Sequence, residues 1–384
     1  MHRQLQQKIH DSKPKLRFPI PFLRKNLCLI GTAWIFFLLA WVTPAPALTI
    51  IPVWDSTITS DPNAAIIEST INMAIQFYEA RFADPITVTI QFQEMSEGLG
   101  ESGWEYYNIP YSQFLSALQS DATTTNDDIA LANLSLGPNN PVTGDANINV
   151  HSANLRALGL TQYSAPPSPE GTVSLNTSIM NLSRTNISPS KYDLVAVVEH
   201  EMDEVLGFSS DLPNNDDPFP QDLFRYSSLG GLTFTTSGDD AYFSIDGTNL
   251  LVRFNQDSSG DYGDWWSSGT HTPRVQDAFA TAGATPNPSV ELIGLDVQGF
   301  DLVPPPQPRI VSTHLSGNNL VLNGTNGLAT GVYHLLSSTN LVLPISQWTS
   351  LATNTLTANG AFSITATNVV KHNAAGEFYV LQLQ

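Results

Sequence analysis

The sequence predicts a mixed α+β domain followed by a small all-β sandwich. Two segments with helical periodicity, at residues 64–78 and 190–207, accompany a strand of alternating apolar residues at 86–92. Beyond a run of prolines, short apolar stretches recur between Gly and Asn residues, a rhythm typical of a β-sandwich. The predicted division is residues 1–47 for a targeting segment, 48–303 for the α+β domain, 304–308 for a stiff proline linker and 309–384 for the β module.

Residues 1–47 have the composition of an export signal. Seven basic residues come first, an apolar run covers residues 27–42, and Ala45-Pro46-Ala47 matches the small-residue cleavage pattern. We expect cleavage after Ala47 and a secreted, cell-surface or periplasmic protein. The alternative is an uncleaved signal anchor, which would be the only contact with a membrane, because the apolar run falls just short of a comfortable span.

The chain beyond this segment is strongly acidic. Of the 16 basic and 35 acidic residues, seven and one lie in residues 1–47, which leaves nine basic and 34 acidic residues and a net charge of about −25. Such a surface repels nucleic acid and anionic lipid, so we expect neither as a partner. The single cysteine, Cys28, lies in the signal, so no disulfide can form in the remainder, which must be stabilised by core packing, to which bound metals can add.

The second helical segment has recognisable ends. Ser190 and Asp193 resemble a capping box, and Gly207 is a natural C-terminal cap. Most of the positions from Leu194 to Leu206 are apolar, which predicts a buried helix whose polar side chains face a cleft.

This helix carries His200, Glu201 and Glu204 in the pattern HExxE. Residues four apart lie on the same helix face, so His200 and Glu204 can bind one metal ion, since zinc accepts carboxylate oxygen as well as imidazole nitrogen. Glu201 is then placed as the general base that takes a proton from water, as in HExxH enzymes. The alternative is a solvated acidic helix with one incidental histidine.

The helix and its surroundings resemble the metzincin-like putative metalloproteases of bacteria that carry an HExxExxG helix. The resemblance covers residues 50–302, and its matching segments are residues 64–92, 171–176, 197–207, 222–227, 243–247, 254–256, 260–265, 276–279 and 295–300. It implies a metzincin-like catalytic domain with a twisted sheet, an active-site helix and a zinc-dependent peptidase activity.

Two features depart from a standard metzincin. Ser210 stands where the third histidine ligand would be, and residues 295–300 lack the methionine that packs beneath the metal, a space that Leu295 or Val297 can fill. A catalytic zinc has three protein ligands plus water. The third ligand is therefore predicted to be Asp222, which lies in the resembling segment after the helix; the next candidates are Asp211, Asp217 and His271, and all four have an alternative as ordinary loop residues.

Other segments allow two interpretations each. The acid-rich stretch 257–264 suggests a structural Ca²⁺ site or a solvated turn. The strand 172–176 either borders the cleft and pairs with an extended peptide, or is an ordinary sheet strand. Core packing is favoured over substrate or sugar binding for Trp265, Trp266 and Trp348.

These observations together predict an exported, monomeric zinc-dependent endopeptidase that acts on protein or peptide substrates. Its site would contain His200, Glu204 and Asp222 as ligands and Glu201 as the base. Two alternatives remain: a non-catalytic adhesive or binding protein on the same fold with a degenerate metal site, and a different metal hydrolase that cleaves a non-peptide amide.

Overall fold

The computed structural model describes residues 47–163, 169–214, 216–236, 240–304, 306–329, 331–357, 359–369 and 377–383. The predicted signal segment lies outside the described residues, apart from Ala47. The described part of the chain has a mixed α+β fold, and none of its helices has both the length and the apolar character needed to span a bilayer.

The described residues form seven α-helices and 17 strands. The helices are α1 (Ser56–Thr59), α2 (Ala64–Glu79), α3 (Tyr111–Asp121), α4 (Thr125–Asn133), α5 (Ser152–Ala157), α6 (Leu194–Leu206) and α7 (Val290–Gly299). The strands are β1 (Thr49–Trp54), β2 (Thr87–Glu94), β3 (Gly100–Trp104), β4 (Tyr106–Pro110), β5 (Asn147–His151), β6 (Gly171–Leu175), β7 (Met180–Asn181), β8 (Tyr192–Asp193), β9 (Arg225–Ser227), β10 (Ala241–Phe243), β11 (Val252–Arg253), β12 (Arg309–Ser316), β13 (Asn319–Thr325), β14 (Val332–Ser338), β15 (Thr349–Thr355), β16 (Phe362–Ala366) and β17 (Phe378–Leu383).

The sheet that supports the site has the strand order β1-β2-β6-β3. Strands β1, β2 and β6 run parallel, and β3 joins β6 antiparallel at the edge. The predicted alternation in β2 is confirmed, because Val88, Ile90 and Phe92 are fully buried. The predicted helical spacing in α2 is confirmed as well, with Ile71 and Tyr78 among its buried residues.

The pairing of β6 corrects one interpretation of the sequence. Its two edges are both occupied, since Phe92 of β2 and Ser102 of β3 flank Val173 on either side. An inner strand has no free backbone groups to offer a peptide, so β6 cannot pair with a substrate. Of the two strands beside β6, β3 remains open to that role, because its outer edge pairs with no described strand.

Helix α6 packs on this sheet and on α2. Its N-cap is Asp193, whose carboxylate accepts a hydrogen bond from the amide of Ala196 at 3.3 Å, so the helix begins at Leu194 and not near Ser190. Gly207 is the C-cap, as predicted, and its amide donates to the carbonyl of Asp203 at 2.9 Å. Apart from His200, which is half-buried, every residue of α6 is buried.

The described apolar side chains form two clusters, one from residues that precede the segment 304–308 in the sequence and one from residues that follow it. The first spans Leu48 to Phe300 and includes the sheet, α2 and α6. The second contains residues of two three-stranded antiparallel sheets, β12-β13-β16 and β15-β14-β17. Because buried side chains of both sheets, such as Leu322 and Leu335, share this cluster, the sheets pack face to face as a small sandwich requires.

Details of the second cluster differ from the sequence-based expectations. Strand β13 continues through Asn323-Gly324 instead of ending at these Gly and Asn residues, because both pair with β16. Trp348 is half-buried and lies outside the cluster, and its indole nitrogen donates to the carbonyl of Leu343 at 3.0 Å. Trp265, in contrast, is fully buried in the first cluster, as expected.

Candidate metal centre

One face of α6 presents polar side chains to a cleft of about 310 Å³. His200, Glu201 and Glu204 all line it, as the spacing of the HExxE pattern predicts. The Nε2 atom of His200 lies 3.6 Å from Oε1 of Glu204. The opposite wall of the cleft comes from β3 and from the loops at residues 259–264 and 273–286.

The third member of the group is Asp264. Its Oδ1 lies 3.8 Å from Nε2 of His200, and one ligand atom from each of His200, Glu204 and Asp264 lies within 4.8 Å of the other two. A single metal ion can therefore contact all three side chains. Among the described residues, no other group of three or more His, Cys, Asp or Glu side chains converges in this way.

The ring of His200 is oriented for a metal ion. Its Nδ1 lies 3.0 Å from the carbonyl oxygen of Val275, which can only accept, so Nδ1 carries the proton. In the neutral ring, which is the form that binds a metal, the lone pair is then on Nε2, which faces Glu204 and Asp264. A backbone carbonyl behind the ring is the usual support of a metal-binding histidine.

The two carboxylates are held by neighbouring side chains. Ser102 of β3 donates a short hydrogen bond to Oε2 of Glu204, which leaves Oε1 directed at His200. The amide nitrogen of Gln276 donates to Oδ1 of Asp264 at 3.0 Å and lies 3.3 Å from Nε2 of His200. These contacts preorganise the ligand atoms before any cation arrives.

The negative charges of this group favour a bound cation. Burial raises the pKa of Asp264 to about 7, an effect that His200 opposes and Glu204 reinforces. Burial lowers the pKa of His200, but the nearby carboxylates, with Asp264 first, outweigh it and raise the pKa overall. Buried carboxylates without a Lys or Arg partner are costly, and a bound cation offsets that cost.

Glu201 is placed beside the group without belonging to it. Its carboxyl group packs against Gly100 of β3, where a Cβ atom would collide with it, so only glycine leaves room for Glu201. Burial raises the pKa of Glu201 well above the ordinary value; His200 opposes this shift, and Glu204 adds to it. A carboxyl group whose pKa is raised in this way suits acid–base chemistry in the cleft.

Asp222, the expected third ligand, is engaged elsewhere. It lies in a 3₁₀ turn at Pro220–Phe224, is 2 % exposed and accepts hydrogen bonds from Ser210 Oγ at 2.5 Å and from the amides of Asp211 and Phe219 at 3.1 Å each. Its oxygens are thus used to fix the loop after α6. Ser210, at the position of the missing histidine, takes part in the same loop.

The lesser candidates are also separate from the centre. Asp211 accepts from the amide of Asp216, Asp217 from the side chain of Asn108, and His271 pairs with Asp277 at 2.8 Å. The stretch 257–264 does not gather its carboxylates around one point. Asp257 accepts from the amide and hydroxyl of Ser259 in its own turn, whereas Asp264 points to His200.

Sequence reasoning considered Asp264 as a metal ligand only in the calcium hypothesis, although the residue also lies in the resembling segment 260–265. One signal could have separated it from its neighbours: it directly precedes Trp265, whose burial in the core brings this end of the loop next to α6. Comparison with known proteins adds no further assignment, since no family model, curated protein or solved structure matches this chain.

Proposed function

We propose that this chain is an exported metal-dependent endopeptidase with a metzincin-like catalytic domain. The observation that carries the proposal is the convergence of His200, Glu204 and Asp264 in an open cleft, with Glu201 next to them. Three protein ligands and an accessible cleft are what a catalytic zinc site requires, because the remaining coordination position must admit water or substrate.

The donor set fits a divalent cation, and we propose zinc. One imidazole nitrogen and two carboxylate oxygens form an acceptable ligand set for zinc. Oxygen is a harder donor than the imidazole nitrogen that supplies all three ligands in a standard metzincin. When bound, the cation would polarise a substrate carbonyl and lower the pKa of water. His200, Glu204 and Asp264 would hold it.

Glu201 supplies the proton transfers in this proposal. In its ionised form it accepts a proton from water at the cleft, and in its protonated form it donates that proton to the leaving amine. Gly100 of β3 leaves the space that the carboxyl group occupies for both steps. Ser102, Val275 and Gln276 keep the ligand side chains in place while the charge changes.

The edge of the sheet supports a peptide substrate. Strand β3 is the edge strand next to the cleft, and four of its five residues line the cavity wall. An extended peptide can add to such an edge through main-chain hydrogen bonds, which orient it without requiring one particular sequence. The charge of about −25 on residues 48–384 makes nucleic acid an unfavourable partner.

Metal analysis and proteolysis of matched variants test the proposal. Wild type should contain about one zinc per chain and cleave casein in a chelator-sensitive way. His200→Ala should lose both properties. Glu201→Gln should keep the metal and lower kcat by roughly 10²–10⁴-fold, the usual contribution of a general acid–base group.

Glu97→Gln is the matched control, because Glu97 is exposed and does not line the cleft. It should equal wild type in both assays. A wild type that binds no metal after zinc or manganese is supplied would refute the metal site. A metal-loaded wild type that cleaves no protein or peptide would refute the peptidase activity and favour a binding protein.

A further inference from the structure

The cleft continues past the metal centre into a second cavity of about 250 Å³. Both cavities are lined by the same central residues, which are Trp104, Glu204, Gly260, Asp261 and Asp264. A substrate peptide that crosses the ligand group therefore has space on both sides of that group. Its side chains on either side of the cleaved bond would contact the cavity walls.

Carboxylates dominate these walls. Glu204 and Asp264 belong to the candidate centre, Glu201 lies beside it, and Asp193 is paired with Arg184 at 2.6 Å. The remaining ones are Glu101, Asp261 and Asp277.

Glu101 and Asp261 are exposed, and neither forms an ion pair with a described residue. Asp261 borders both cavities, so it lies beside the point where a substrate would be cut. Glu101 lies on β3, the strand on which an extended peptide would lie, and its side chain projects from the face opposite to Gly100 and Ser102, where it can meet the peptide side chains that point the same way.

Asp277 adds a buried acceptor to the same wall. It is 3 % exposed, and its Oδ2 accepts from the amide of Arg274 and pairs with His271. Its Oδ1 has no hydrogen-bond partner among the described residues. A buried carboxylate oxygen without a partner is unfavourable unless a donor reaches it.

Arg274 is the one Lys or Arg side chain among the lining residues of the two cavities, and its charge acts on Asp277. It therefore offsets part of the negative charge on one wall only. The second cavity has no Lys or Arg in its lining, while Glu204, Asp261 and Asp264 all border it. Even with a divalent cation held by Glu204 and Asp264, Asp261 and the ionised form of Glu201 keep the centre of the cleft negative, and Glu101 adds negative charge along the edge strand.

We propose that the cleft selects cationic peptide segments, with Asp261 and Glu101 as specificity-determining residues that bind Lys or Arg side chains flanking the cleaved bond. This inference rests on the proposed function. A cleft lined by one sign of charge concentrates substrates of the opposite sign, and the net charge of the chain acts in the same direction over longer distances. An acidic segment would meet repulsion at the same positions.

The test uses three fluorogenic peptides that differ only in the residues next to the scissile bond, which are Lys, Gln or Glu. For metal-loaded wild type, kcat/KM should fall in that order, with about a tenfold or larger difference between the Lys and Glu peptides at about 0.05 M salt. The difference should shrink at about 0.5 M salt, where charges are screened over shorter distances.

Asp261→Asn and Glu101→Gln should each reduce the Lys-to-Glu ratio by roughly two- to fivefold, whereas Glu97→Gln should leave it unchanged. Equal kcat/KM values for the Lys and Glu peptides, or a ratio unaffected by Asp261→Asn, would overturn the inference. Hydrolysis of the Gln peptide reports the peptidase activity separately. Binding of the same peptides to metal-loaded Glu201→Gln, measured by fluorescence anisotropy, gives the preference without turnover, and equal affinities there would also overturn it.

Discussion

Two groups of carboxylates in this molecule are largely withdrawn from water, and they differ in what offsets the cost of their negative charge. In the cleft, Glu204 and Asp264 converge with His200 until their ligand atoms lie within 4.8 Å of one another. Near the ends of α3, α4 and α7, burial and neighbouring carboxylates raise the pKa of Asp84, Asp121 and Asp296, but these side chains do not form a group of three converging ligand atoms.

The hydrogen bonds of the second group show why it stays separate. The amide of Asp301 donates to Asp84, and the side chains of Thr124 and Asn126 donate to Asp296. No Lys or Arg of the described chain pairs with Asp84 or Asp296. Burial raises the pKa of Asp84 and Asp121 to about 7 and that of Asp296 to about 6.

The comparison teaches that burial of acids alone does not make a metal site. Carboxylates that lie apart avoid the cost of a buried negative charge by keeping their protons. Carboxylates that converge beside an imidazole lone pair are suited to bind a cation. Burial and a raised pKa are shared by Asp264 and Asp84, so the position of His200 is what distinguishes the two groups.

Removing one aspartate from each group tests most directly whether only the cleft group binds a metal. Asp264→Ala should weaken zinc binding at least about 100-fold, because only two protein ligands remain. Asp84→Asn should leave the zinc affinity unchanged. Isothermal titration with zinc measures both, and equal losses in the two variants would show that the cleft group has no special role.

A second variant addresses the support of the ligands. Gln276→Ala removes the hydrogen bond to Asp264 and should lower zinc affinity by roughly 10–100-fold, the usual effect of losing a partner behind a ligand. Competition with a chromophoric chelator provides the measurement. An affinity equal to that of wild type would mean that Gln276 does not orient Asp264.

Asp222 offers a contrast between a structural and a ligand aspartate. Asp222→Ala leaves Ser210 and two amides without their acceptor, so the free energy of unfolding should fall by about 1–3 kcal/mol. Zinc affinity of the folded variant should equal that of wild type. Urea denaturation and titration of the same sample separate the two effects, and lost zinc affinity would restore Asp222 as a ligand.

The smallest expected effect is the pH dependence due to the second group. Folded Asp84 holds its proton up to about pH 7, whereas in the unfolded chain it is ionised above about pH 4. The unfolded state then binds fewer protons in this interval, so stability should fall as pH rises from about 4 to about 7.

Asp84→Asn should reduce that fall by on the order of 1 kcal/mol. Urea midpoints of wild type and variant at about pH 5 and about pH 7.5 measure it. An identical pH dependence in the two proteins would show that Asp84 is ionised in the folded chain across the whole interval.

The sequence by itself determined the features that depend on neighbours along the chain. The mixed α+β class, the helix ending at Gly207 and the shared face of His200 and Glu204 all follow from local periodicity and capping. The apolar alternation of β2 and the helical spacing of α2 are of the same kind. These patterns repeat within a few residues, and so they can be read without knowing what packs against them.

Only the tertiary structure decided which distant residues complete the site. Asp264 lies 60 positions beyond Glu204, and Asp222, which is nearer in sequence, is turned away by its own hydrogen bonds. The order of strands placed β3 and not β6 at the edge of the cleft. Such pairings depend on the packing of loops and strands that are remote in sequence, because any carboxylate of a loop can bind a metal but only the fold brings one to the helix.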